Sequence, residues 1–175
     1  IIQTTKGSKV SKLSTLNPNF AAMIMEMLIE LELDSSSKVA VSYTGSYPGA
    51  NIAVLAALEA MNIRASIISS CGSSEWGATY PEMTWLEMEN HLNEVNHVSN
   101  KSKLGSIGGG FDLGSQLKQE GRKVCETAIY SNKMKPLHEK DPKENVKKRM
   151  QYYYQNSELR VIDLFINVGG GIYTT

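Results

Sequence analysis

The chain has 175 residues, 41% of them hydrophobic and 21% charged, and its acids and bases balance to a formal net charge of zero. That length suits one domain with a sizeable core, and the composition excludes a disordered or collagen-like chain. No run approaches the roughly 18 apolar residues needed to cross a bilayer. Nor is there a basic stripe with interleaved aromatics of the kind that binds nucleic acid.

The chain opens on Ile1, with no secretory signal in view, and closes a few residues after a strand pattern. It reads as a single α/β domain over residues 1–175, cut from a longer protein. Residues 1–17 are rich in Ser, Thr and Lys and read as an irregular segment. From Phe20 to Leu31 apolar residues recur at steps of three and four, which predicts an amphipathic helix ended by Asp34-Ser-Ser-Ser. Four apolar runs follow: Val39–Tyr43, Ala65–Cys71, Leu104–Ile107 and Arg160–Val168. They are continuous rather than alternating, as in strands buried on both faces. Helical patterns separate them at Ile52–Met61, Pro81–Val95, Leu117–Ile129 and Pro142–Tyr154. Strands alternating with helices predict an α/β fold: an open, mostly parallel sheet with helices on both faces, a Rossmann-like three-layer sandwich with right-handed crossovers.

In such a sheet, ligands bind beyond the carboxyl ends of the strands, so the four strand-end loops are the candidate site. The first supplies Ser42, Thr44, Gly45, Ser46 and Asn51, hydroxyls and small residues that open a helix whose dipole favours anions. It lacks the lysine of a phosphate-binding P-loop, the glycine spacing of a dinucleotide fingerprint and the Gly-x-Ser-x-Gly of a nucleophile elbow. The second supplies Ser73, Ser74, Glu75 and Trp76. Here Glu75 would serve as a base or bind a cation, and Trp76 would line the site or fold down on the core. The third carries Gly108, Gly109, Gly110 and Asp112; three consecutive glycines imply close backbone approach or positive φ. Asp112 would bind a hydroxyl, an ammonium or a metal, or cap a helix. The fourth, Asn167-Val-Gly169-Gly170-Gly171, repeats that character.

No catalytic constellation completes itself. His91, His97 and His138 all lie away from the strand ends, no spacing suits a metal, and no cofactor motif is present. A serine nucleophile assisted by Glu75 or Asp112 is the enzymatic alternative. Cys71 and Cys125 read as two buried thiols or one disulfide. Charge is blocked along the chain: five Glu and no Lys or Arg from Glu75 to Glu94, then seven Lys or Arg against three acids from Lys133 to Arg149.

Several of these segments resemble a known family. Ser42-Tyr-Thr-Gly-Ser-Tyr-Pro-Gly-Ala-Asn-Ile-Ala-Val-Leu-Ala-Ala57 and Ser69-Ser-Cys-Gly-Ser-Ser-Glu-Trp-Gly-Ala-Thr-Tyr-Pro-Glu-Met-Thr-Trp-Leu-Glu-Met-Glu89 resemble signatures of the poly-gamma-glutamate system proteins. Ile107-Gly-Gly-Gly-Phe-Asp112 and Asn167-Val-Gly-Gly-Gly171 are similar to that family's glycine-rich motifs. The resemblance implies an accessory role in poly-gamma-glutamate (capsule) biosynthesis or export, at the membrane or cell envelope. The partners implied are the polymer or other components of its synthesis, with a small anionic ligand at the loops. The enzymatic alternative then becomes a hydrolase or transferase acting on a gamma-glutamyl amide. A shorter likeness, Val41-Ser-Tyr-Thr-Gly-Ser-Tyr-Pro48, is similar to the Ser/Thr-Gly loop of sugar-isomerase-type phosphosugar-binding domains. It too implies anion binding.

Overall fold

A computed structural model describes residues 1–155 and 161–170. The elements in chain order are α1 (Lys9–Ser14), α2 (Asn19–Glu30), β1 (Val39–Thr44), α3 (Pro48–Ala60), β2 (Ala65–Ser70), α4 (Trp85–Glu94), β3 (Leu104–Ser106), α5 (Gln119–Ser131), β4 (Lys135–Pro136), α6 (Pro142–Tyr153) and β5 (Leu164–Val168). The five strands form one parallel sheet in the order β4-β3-β2-β1-β5. The fold is therefore the α/β three-layer, Rossmann-like sandwich that the alternating pattern predicts.

β1 lies between β2 and β5, with Val39 opposite both Ala65 and Leu164. Its continuous apolar run makes sense there, because a strand inside a parallel sheet is buried on both faces. Val39, Val41 and Tyr43 join the main core with Val54, Leu55 and Leu58 of α3. Ala40 faces the other way, toward Tyr152 and Tyr153 of α6. Bulky residues on one face meet an Ala-rich helix, and a small residue on the other leaves room for two phenol rings. Ile67 and Ile68 of β2 divide between the same two cores. Trp85 of α4 is fully buried, packs edge-on to Tyr43 at 5.5 Å between ring centroids, and donates Nε1–H to Ser69 Oγ at 2.9 Å.

From β1 to β4 each strand is laid down on the same side of its predecessor; α6 then carries the chain back, and β5 pairs with the free side of β1. Strand order thus reverses at β1, and a crevice opens at the carboxyl ends of the strands at such a switch point.

Several expected boundaries change. α3 starts at Pro48 rather than Ile52, because proline is pre-organised for a first helical position. α4 starts at Trp85 rather than Pro81, because Thr84 and Glu87 form a capping box there. β4 was not expected: two residues, one of them Pro136, tolerated at a sheet edge where one face of the ladder needs no donor. The expected segment Arg160–Val168 is a strand from Leu164; Arg160 and Gly171 lie outside the described residues. Residues 1–17 are irregular except for α1, Lys9–Ser14, but they are packed against the domain. Ile2 is fully buried, residues 2–5 bond the loop after β2, and α1 follows, capped by Ser8. Cys71 and Cys125 are free, buried thiols.

Candidate functional site

The first two loops are stitched together by their hydroxyls. Ser46 N–H donates to Thr44 Oγ1 at 3.2 Å, and Ser74 N–H donates to Ser46 Oγ at 3.0 Å. Ser73, fully buried, donates its hydroxyl to the Gly45 carbonyl at 2.9 Å. This close approach is possible because Gly77 has no side chain. A Cβ there would overlap Ser73 Oγ and stand 2.6 Å from the Gly45 carbonyl oxygen.

The N-terminal segment closes this wall. Thr4 N–H donates to the Ser73 carbonyl at 2.7 Å and Glu75 N–H to the Thr5 carbonyl at 2.8 Å. α1 then delivers Lys12, only 6% exposed, into the junction of the two loops. Its Nζ donates to the Ser46 carbonyl and to Ser74 Oγ, both at 2.7 Å, and lies 4.4 Å from the centroid of the Tyr47 ring. The lysine that the first loop lacks in sequence is supplied from 34 residues upstream. Burial pushes its amine below the usual lysine range. Among the described residues no carboxylate forms an ion pair with it.

The third loop builds the opposite wall. Gly108, Gly109 and Gly114 have φ of +79°, +72° and +66°, and Phe111 and Asp112 also adopt positive φ. Non-glycine residues seldom hold that conformation, and such strain gathers at functional sites. The turn presents Asp112 to Ser106 Oγ (2.7 Å) and to Arg149 Nη2 (2.6 Å), with Asn145 Nδ2 at 3.4 Å. Arg149, from α6, also donates Nε–H to Asn145 Oδ1 at 2.8 Å. The Tyr153 phenol lies beside Arg149 and Ser42, and burial pushes it up to about 12.

Between these walls lies a cleft of about 430 Å³, the size of small-molecule sites. Of the residues expected from sequence, Ser42, Thr44, Ser46, Ser74, Gly108, Gly109, Gly110, Asp112 and Gly170 line it. Gly45, Asn51, Ser73, Glu75, Trp76, Asn167 and Gly169 do not. Gly45 and Ser73 are spent on the contact between loops. Asn51 is fully buried in the first turn of α3 and donates Nδ2–H to the Thr44 carbonyl at 2.9 Å. Glu75 contributes its backbone to the N-terminal segment. Trp76, at φ +68° and 54% exposed, neither lines the cleft nor covers the core; Lys9 Nζ sits 5.0 Å from its ring centroid. Asn167 turns its amide to the Gly169 carbonyl at 3.3 Å, and Gly169 packs against Thr44. Asp112 is the partner of an arginine rather than a free acid.

Sequence reasoning missed Arg149 and the Thr4–Ser8 stretch, which line the cleft, and Lys12, which stands behind its wall on Ser46 and Ser74. The three histidines are exposed and lie outside it. Among the described residues no group of three or more His, Cys, Asp or Glu is placed to hold a metal, and no helix is long and apolar enough to cross a membrane. The chain matches no protein-family model, no curated protein and no solved structure.

Proposed function

We propose that this domain binds a carboxylate- or phosphate-bearing ligand in the strand-end cleft, as an accessory component of poly-gamma-glutamate biosynthesis or export at the membrane or cell envelope. The motif resemblance supports the system. One observation carries the binding: Lys6 and Arg149 line the cleft against the single carboxylate of Asp112, which is already paired with Arg149, and Lys12 stands behind the cleft wall on Ser46 and Ser74. The cleft therefore has a net positive charge, and the Lys12 ammonium behind its wall, with no ion-pair partner among the described residues, adds to a field that favours an anion.

Calorimetric titration of inorganic phosphate and of oligo-gamma-glutamate tests this. Lys6→Met should weaken binding at least tenfold, the worth of a charge-assisted hydrogen bond (about 1.5–3 kcal/mol), with an unchanged far-ultraviolet circular dichroism spectrum. No heat with either anion on the unaltered protein would refute binding; heat with phosphate alone would refute the polymer as ligand.

The 2.7 Å contact between Lys12 Nζ and Ser74 Oγ favours a second reading, acyl transfer from a gamma-glutamyl amide. Neutral Lys12 would take the Ser74 proton as Oγ attacks the carbonyl carbon. The C–N bond then breaks, and the proton passes from Lys12 to the leaving amine. The charge on Lys12 separates the readings, since only the second needs the free amine, acting as a base on Ser74. A fluorophosphonate adduct mapped to Ser74, and lost in Lys12→Met, would select the second; an unlabelled Ser74 would count against it.

A further inference from the structure

α1 is amphipathic in the reverse of the usual sense. A surface helix turns an apolar stripe to the core and its charges to water. In α1 the buried residue is Lys12, held on Ser46 and Ser74. Val10 and Leu13 are instead 78% and 54% exposed, and Leu16, in the turn that follows, is 63% exposed. Lys9 and Leu13, four residues apart, share one face of the helix.

Lys9 joins this face to the second strand-end loop, because its Nζ lies 5.0 Å from the centroid of the Trp76 ring. Trp76 is more than half exposed and has a positive φ that bulky residues seldom hold. It costs the fold backbone energy and returns little burial, so folding alone does not account for a tryptophan there. The surroundings are basic: from Ile1 to Met25 the chain has three Lys and no Asp or Glu. Lys12 is spent inside the fold, which leaves Lys6 and Lys9 against Glu75, the residue before Trp76. Lys9, Val10, Leu13, Leu16 and Trp76 thus form a patch of ammonium, aliphatic and indole groups outside the cleft.

We propose that this patch docks the domain on the surface of an anionic lipid bilayer, with Trp76 and Leu13 entering the headgroup region and Lys9 meeting lipid phosphates. Protein interfaces are rich in Trp but poor in Lys. At a membrane–water boundary the two occur together, the ring at headgroup level and the ammonium extended to the polar side. A lysine over an exposed indole therefore favours a bilayer over a protein as the partner. Thr4–Ser8, which line the cleft, run directly into Lys9, so docking holds the cleft beside the bilayer surface. Docking rests on the patch, not on the cleft or on the motif resemblance.

Vesicles of phosphatidylcholine, with and without an equal part of phosphatidylglycerol, provide the test by flotation and fluorescence. Trp85, the other tryptophan, is fully buried, so a blue shift of emission and quenching by brominated acyl chains report on Trp76. Anionic vesicles should bind about fivefold more tightly than neutral ones, the worth of one lysine near such a surface, and salt should weaken that preference. Trp76→Asn, a residue that tolerates the left-handed conformation, should weaken vesicle binding about tenfold. Leu13→Gln should weaken it in the same direction, and both variants should titrate inorganic phosphate as the unaltered chain does. Vesicle binding that both variants retain and inorganic phosphate displaces would assign the lipid contact to the cleft and overturn docking through the patch. No binding to either vesicle would also overturn it and leave a protein as the partner of the patch; phosphate binding in that case would leave the anion-binding reading standing.

Discussion

Glu89 shows what one buried side chain can impose on the whole protein. It is fully buried on α4, accepts a hydrogen bond from Ser102 Oγ at 2.8 Å through Oε1, and has no partner for Oε2 among the described residues. Ser102 in turn contacts Ser69 at 2.7 Å, which accepts from Trp85. Tyr43 and Tyr152 are the acidic neighbours in its field and Lys101 the basic one. Burial pushes the carboxyl up to about 7, and the Ser102 bonds and the Lys101 charge offset only part of that. The folded state therefore holds a proton that the unfolded chain releases at an ordinary carboxyl pKa. The associated stability is present in full below that ordinary value and is lost as pH rises through about 7. Urea unfolding should show the native protein losing on the order of 3 kcal/mol between pH 4.5 and 8 through this group. Glu89→Gln should remove that component. An equal pH dependence in both proteins would show that Glu89 is not its source.

At the scale of elements, the loops are determined as much by what they lack as by what they carry. Gly77 and Gly170 make the contrast. A methyl at residue 77 would meet the Gly45 and Ser46 carbonyls and Ser73 Oγ, whereas one at residue 170 meets nothing within 4 Å. Gly77→Ala should cost about 1–3 kcal/mol, the range for overpacking, and should weaken phosphate binding by parting the first two loops. Gly170→Ala should leave stability unchanged in the same thermal melt. Similar losses in both would show that steric overlap at residue 77 is not the cause. The glycine triplet of the third loop was legible as a conformational demand, and Gly108 and Gly109 meet it with positive φ. The start of α4 was also legible, in the Thr84-x-x-Glu87 spacing, but the nearby Pro81 is the louder signal. α1 and β4 were not, because six residues and two residues are too short for periodicity to register.

At the scale of the molecule, the order β4-β3-β2-β1-β5 places the switch point at β1 and so decides which strand ends share a cleft. The apolar runs and the helices between them were enough to predict the α/β class, because burial on two faces and helical amphipathicity are written in neighbouring residues. The strand-end hydroxyls and glycines could be named for the same reason. The charges that give the cleft its character could not. Lys12 lies 62 residues from Ser74, and Arg149 lies 37 from Asp112. Each sits in a stretch whose composition reads as solvated surface, one polar and one basic. A charge becomes a site only when the chain buries it beside particular partners, and pairing between distant segments leaves no local spacing to read. The class of fold and the small polar residues at its rim therefore belong to the sequence alone. The cations placed at the cleft and behind its wall, and the glycines spent on packing, were decided by the tertiary structure.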